Sequence, residues 1–217
     1  MIEIIQPKLE TFTNKKWELP ERQSFLDSLK KIRVAFSGEQ IYFQYMSYLR
    51  HFGYPSPLLD WTDSPFIAAY FAFRDVTSNA KSVAIYSKTE ASENSQPNET
   101  RTEMYPVYAH SRNNTRHYLQ QSLYTVCLKI VDGKLIFSSL ADPSMSEDEY
   151  DRAWITKYIL PASERADALH NLDTLNINAY SLFGSEESLL ETVFLRQYIL
   201  SKRNIKIYNP VNPADLW

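Results

Sequence analysis

Four glycines are all that 217 residues contain. A loop that wraps a phosphate needs glycines at fixed spacing, so that backbone amides reach the anion and the chain takes positive φ. Neither the P-loop pattern nor the Gly-x-Gly-x-x-Gly pattern occurs, so P-loop NTPases and doubly wound dinucleotide folds are excluded. Bulky residues take the place of glycine. There are 15 tyrosines and 11 phenylalanines in a chain that is 44% hydrophobic, enough for one sizeable core in an ordinary globular protein.

Charge and the reactive residue types remove further classes. Lys+Arg 23 against Asp+Glu 26 leaves a net charge of -3, so no global basic field draws the chain to nucleic acid. The lone cysteine, Cys127, excludes an intrachain disulfide and a cysteine-built zinc site. Flanked by Val126 and Leu128, it reads as a buried, inert thiol. His51, His110, His117 and His170 lack one-turn metal-ligand spacing, and no carboxylate cluster accompanies them, so no metal is expected. A Gly-x-Ser-x-Gly nucleophile elbow is absent. With no long uncharged apolar run and no basic-then-apolar leader over Met1 to Lys15, the expected location is the cytoplasm, without a membrane partner.

Periodicity predicts a mixed order of elements, hence an α+β domain over 1–217. Helices are predicted at Glu21–Ile32 and Glu39–His51, the second stopped by Gly53, Pro55 and Pro57. Asp60 to Ser64 reads as a turn, in which Asp63 or Ser64 caps a wholly buried helix opened by Pro65. Strands are predicted at Arg33–Phe36, Lys81–Ser87, Ser122–Ile130, Lys134–Phe137 and Trp154–Leu160. Two closing helices are predicted at Ser163–Leu175 and Ser185–Ser201, the latter capped by Ser185 and carrying Leu190, Phe194 and Tyr198 along one face. The polar stretch 88–104 reads as a surface insertion.

Two clusters carry candidate chemistry. His51 with Asp60-Trp61-Thr62-Asp63-Ser64 concentrates polar groups between apolar segments. Turn and cap duties account for Asp63 and Ser64 but leave Trp61 unexplained, because a large indole in a turn packs on something or binds something. Arg116-His117-Tyr118-Leu119-Gln120-Gln121 leads into the strongest strand, and its arginine and two amides suit either a planar polar ligand or a solvated strand mouth.

In this order the two clusters resemble the FRG domain family, named for a Phe-Arg-Gly signature. The resemblance rests on Arg50-His51-Phe52-Gly53 running into Leu58-Leu59-Asp60-Trp61-Thr62, then Ser64-Pro65 and Ala68-Ala69-Tyr70-Phe71-Ala72, and later Arg116 before Gln120-Gln121-Ser122-Leu123-Tyr124. It spans about Phe36 to Leu190. The signature arginine falls on Ser37 in Phe36-Ser37-Gly38-Glu39, the family's Gln before His is Arg50, and the Arg before Leu-Leu-Asp is Pro57.

The motif order resembles that of ADP-ribosyltransferases, which implies a mixed, split β-sheet flanked by helices and NAD as substrate, without a metal. It further implies that Ser37 and Gly38 mark the NAD-anchoring site and that Trp61 and Tyr70 shape the nicotinamide pocket. Thr62 and Ser64 would bond the ribose or carboxamide, and Gln120 or Gln121 would stand near the ribose. His51, Asp60 and Arg116 complete the NAD-binding set. The implied role is a toxin or effector of a bacterial toxin–antitoxin or antiphage system, with a protein or nucleic-acid acceptor and an antitoxin partner. Because a serine cannot grip a diphosphate as a guanidinium does, the chain is expected to be nearly inactive as it stands, unless Arg33 or Arg50 supplies the charge. The alternative is a non-catalytic nucleotide- or protein-binding module using the same cleft.

Overall fold

The computed structural model describes residues 2–31, 40–77, 79–89, 102–107, 115–141 and 155–200. The fold is α+β, and the chain divides into two compact units, Met1–Pro65 with Ala84–Tyr158 and Phe66–Val83 with Ile159–Trp217. The chain passes between them three times, after Pro65 at the start of a helix and inside strands β2 (Ser82–Lys88) and β6 (Ile155–Pro161), which pair in a two-stranded sheet. No helix among the described residues is long and apolar enough to cross a membrane.

The first unit is built on β4 (Ser122–Val131), whose β-branched and aromatic run buries Tyr124, Thr125, Val126, Cys127 and Leu128. Antiparallel partners flank it: β1 (Leu58–Thr62), β3 (Glu103–Val107) and β5 (Lys134–Phe137). The described pairs of this sheet are thus antiparallel rather than mixed. Asp132 (φ 50) and Gly133 (φ 71) close the β4–β5 hairpin, with the positive φ at both turn residues that matches strand twist. Helices α1 (Ile2–Thr13), α2 (Arg22–Lys31) and α3 (Gln40–His51) belong to this unit. Phe25, Leu26 and Leu29 of α2 and Tyr42, Phe43 and Met46 of α3 pack with Leu58, Val107, Tyr124, Val126, Leu128 and Leu135 of the sheet. Phe25 stacks on Tyr42 (4.1 Å between ring centres) and meets Phe43 edge-on (5.3 Å).

Three elements here differ from expectation. Leu58–Thr62, expected to end in a turn from Asp60, is strand β1, paired with Ser122–Val126 throughout. Its polar half hides the alternation that puts Leu58, Asp60 and Thr62 on one face. Strand β3 lies at the end of the expected 88–104 insertion, where Thr102 and Glu103 are buried. Pro106, which lacks a donor, masks it in the sequence and is accommodated because β3 borders β4 alone among the described strands. Helix α1, unanticipated, carries Pro7 inside it. Lys88 closes β2, so what remains of the insertion, residues 90–101, lies outside the described residues, as do the predicted strand Arg33–Phe36, Trp154 and His110.

The second unit contains α4 (Pro65–Arg74) from Phe66 onward, a 3-10 turn (Ala162–Glu164), α6 (Arg165–Thr174), α7 (Ala179–Phe183) and α8 (Glu186–Phe194), which runs into a π turn (Leu195–Leu200). Ile67, Tyr70 and Phe73, three residues apart, form the buried stripe of α4 against Leu169, Leu172, Ala179 and Leu182. Phe66 and Phe71 on its other side are exposed, so α4 is amphipathic rather than wholly buried. Arg165 donates to the carbonyls of Phe73 and Arg74 (2.9 Å each), which caps the C-terminus of α4. Ser185 caps α8 as predicted, in a reciprocal box with Ser188.

The buried face of α8 is nevertheless polar. Ser188 and Thr192 are buried, whereas Leu190 is 68% and Phe194 56% exposed. The capping box and the Thr192 hydroxyl, which donates to the Ser188 carbonyl and accepts from the Tyr180 amide, account for this orientation. The Tyr198 side chain lies outside the described set.

Arg196 donates twice to Asp173 (2.8 Å each), and these bonds hold the Asp173 carboxyl below its ordinary range, against a smaller opposing effect of burial. The folded carboxyl therefore ionises below the unfolded value of about 4. The stability it contributes is fully present above that value and is lost as pH falls through the lower folded pKa. Asp173→Asn should flatten the acid limb of a melting-temperature profile. An unchanged limb would place the acid sensitivity elsewhere.

Candidate functional site

The end of β1 and the start of β4 gather polar side chains from two further elements of the first unit. Arg50 and His51 occupy the last turn of α3, which Gly53 (φ 77) terminates through a bond to the Arg50 carbonyl (2.9 Å). Strand α-carbon partners place Asp60 opposite Tyr124 and Thr62 opposite Ser122, on the sheet face that also carries buried Leu58 and Val126. Helix α5 (Thr115–Leu119) brings Arg116 and His117 and ends in a tight turn in which Gln121 takes φ 47.

Two bonds splice the elements. The Thr62 hydroxyl donates to the Gln120 carbonyl (2.8 Å), and the Asp63 amide donates to the Gln121 carbonyl (3.2 Å). The two clusters, separate in sequence, thus meet.

At their meeting point the Tyr124 hydroxyl lies 3.0 Å from His51 Nε2 and 3.3 Å from His117 Nδ1. The His117 ring stacks on Tyr124 with centres 5.6 Å apart, and the His51 ring stands edge-on to it at 6.4 Å. Arg50 Nε donates to the Asp60 carboxylate beside them. Burial is the largest influence on His51 and pushes its pKa below the ordinary range. His117, Arg116 and Arg50 push the same way, and Asp60 opposes them. His51 is therefore a neutral imidazole at pH 7, able to act as donor, acceptor or base. Burial raises the pKa of Tyr124, which stays protonated.

The other expected residues are distributed as follows. Trp61 projects to the opposite sheet face by strand alternation, where its indole N–H donates to the Thr125 hydroxyl (2.9 Å). The Thr62 hydroxyl also accepts from the Ser64 amide (3.2 Å), so its local role is to tie the end of β1 to the start of α4. The Gln121 side chain is exposed and that of Gln120 half-buried. Tyr70 belongs to the second unit, where its hydroxyl, its pKa raised chiefly by burial, donates to Glu191 (3.3 Å). Glu191 is also held by a two-pronged Arg74 contact (2.7 Å each), and Arg74 lies over the Phe183 ring. Ser37 and Gly38 lie outside the described residues. Sequence reasoning left out Tyr124 and His117 as site residues. The available signal was that the strongest strand contains a tyrosine seven residues after a histidine, at a position facing the core.

A carboxylate in the turn expected at Asp60 to Ser64 would satisfy backbone donors. The Asp60 carboxylate instead faces Arg50 in a pair whose side chains are 53% and 34% exposed. Asp60→Ala should accordingly cost under about 1 kcal/mol in urea unfolding. It should also lower the His51 titration midpoint further, since Asp60 is the group that raises it. A large stability loss would return Asp60 to a structural role.

No curated protein and no solved structure matches the chain. The family model of the FRG domain matches residues 4–81, from α1 to the residue before β2, and so includes Arg50, His51, Asp60 and Thr62. It starts and ends earlier than the Phe36–Leu190 resemblance, and Arg116, His117, Gln120 and Tyr124 lie beyond it. The likeness to the FRG domain thus covers residues 4–81, less than half of the chain.

Proposed function

We propose that the cluster around Tyr124 is the nucleotide site of an NAD-consuming, ADP-ribosyltransferase-like domain, acting in the cytoplasm as the toxin or effector of a bacterial toxin–antitoxin or antiphage system. The observation that carries this reading is the convergence on Tyr124 of His51, from the FRG stretch, and His117, from outside it, with Asp60 and Arg116 acting on His51. Imidazoles, guanidinium groups and a buried phenol offer the mix of directional donors and positive charge that a nucleotide diphosphate and ribose require. A glutamine at the late position can orient a ribose hydroxyl through its amide but cannot deprotonate it. The acceptor would be a protein or nucleic acid, and an antitoxin would be the restraining partner.

A second reading, a non-catalytic module that binds a nucleotide or a protein through the same cleft, is favoured by one observation. Trp61 lies on the opposite sheet face from Tyr124, and the Tyr70 hydroxyl bonds Glu191, so both have structural occupations apart from a nicotinamide pocket. Thermal-shift titration with NAD and with ADP-ribose, followed by incubation with labelled NAD and cell lysate, separates the two. Stabilisation with transfer of label supports the transferase, and stabilisation alone supports the module. No response to either nucleotide overturns both nucleotide readings and leaves a protein-binding role.

A further inference from the structure

The placement of one phenolic hydroxyl between two imidazoles has a chemical consequence independent of the ligand. Tyr124 is 3% exposed, and its oxygen carries a single hydrogen, with His51 Nε2 and His117 Nδ1 both within bonding distance. One hydrogen cannot be donated to both nitrogens. The complementary arrangement has one imidazole accept from the O–H while the other donates its N–H to the oxygen. Two protonated rings would aim two N–H groups at the same oxygen and displace its hydrogen. They would do so beside Arg50 from α3 and Arg116 from α5, with Asp60 on β1 as the opposing charge.

We propose that Tyr124 is a positioning residue that couples the protonation of His51 and His117, holding one as donor and the other as acceptor so that a proton taken up by either ring disfavours uptake by the other. Such a pair titrates as a unit rather than as two independent groups. Its bearing on ligand binding rests on the nucleotide-site reading. The coupling itself does not, and it is tested on the ligand-free full chain.

The experiment is a double-mutant cycle read by NMR of histidine-labelled protein, with thermal melting as the check of folding. His117→Gln should raise the His51 titration midpoint when Tyr124 is present. The same change in a Tyr124→Phe background should move it by less than half as much, because the through-bond part is gone and the through-space part remains. Equal shifts in the two backgrounds, or no shift with Tyr124 in place, overturn the proposal. If Tyr124→Phe does not fold, the intact chain still decides the matter through its nitrogen spectrum above the midpoint of both rings. Opposite protonation of His51 Nε2 and His117 Nδ1 supports the coupling, and like protonation overturns it. Loss of NAD binding in other experiments would leave both readouts unchanged, so the two readings fail separately.

Discussion

Phe25→Ala should destabilise the first unit by about 3–5 kcal/mol, the range for a fully buried phenylalanine whose loss leaves a cavity. Phe25 is 1% exposed, stacked on Tyr42 and edge-on to Phe43, so truncation removes two aromatic contacts as well as apolar area. Tyr42 and Phe43 sit on α3, the helix that also carries Arg50 and His51, so a cavity at Phe25 loosens the support beneath the site. Urea unfolding should show a lower midpoint with an unchanged slope, and the His51–Tyr124 contact should weaken before global unfolding. A loss below about 1 kcal/mol would mean that α2 does not anchor this core.

The contrast between Phe25 and α8 shows where the sequence is legible. Phe25, Leu26 and Leu29 repeat at helical spacing and are all buried. In α8, Leu190 and Phe194 have the same spacing yet face outward, because Ser188 and Thr192 are fixed by hydrogen bonds to Ser185, Tyr180 and their own helix. Apolar period identifies a helix, but it names the buried face only when no polar network competes for it. The site follows the same logic. Both clusters are visible as runs of polar residues, and the strand Ser122–Ile130 is plain from its composition. Their meeting is not, since it depends on the pairing of β1 with β4, and β1 reads as a turn because Asp60-Trp61-Thr62 disguises its alternation. Without that register, Asp60 and Trp61 look like neighbours in one pocket, although the sheet separates them to opposite faces.

Ser37→Arg should raise NAD-dependent modification by roughly one to two orders of magnitude under the proposed transferase reading, and it should confer toxicity in a bacterial host. The flanking Phe36, Gly38 and Glu39 agree with the FRG signature, so a single replacement removes the charged fork while leaving its frame. A hydroxyl offers one neutral donor where a guanidinium offers five with a permanent charge. Loss of a charge-assisted contact of that kind costs about 1.5–3 kcal/mol, and each 1.4 kcal/mol in the transition state is about tenfold in rate. The competing possibility is that a neighbouring arginine supplies the charge. Arg50 has its Nε on the Asp60 carboxylate, next to His51, and would have to bind a diphosphate while keeping or exchanging that partner. The two cases separate cleanly. If Arg33 or Arg50 serves, Ser37→Arg changes little while Arg33→Ala or Arg50→Ala abolishes whatever transfer the chain performs; if position 37 serves, neither change removes most of the Ser37→Arg gain. Should neither the chain as it stands nor Ser37→Arg consume NAD with any cellular acceptor, the transferase proposal falls, and the Tyr124 cluster is then a binding surface whose histidines recognise a ligand without transforming it.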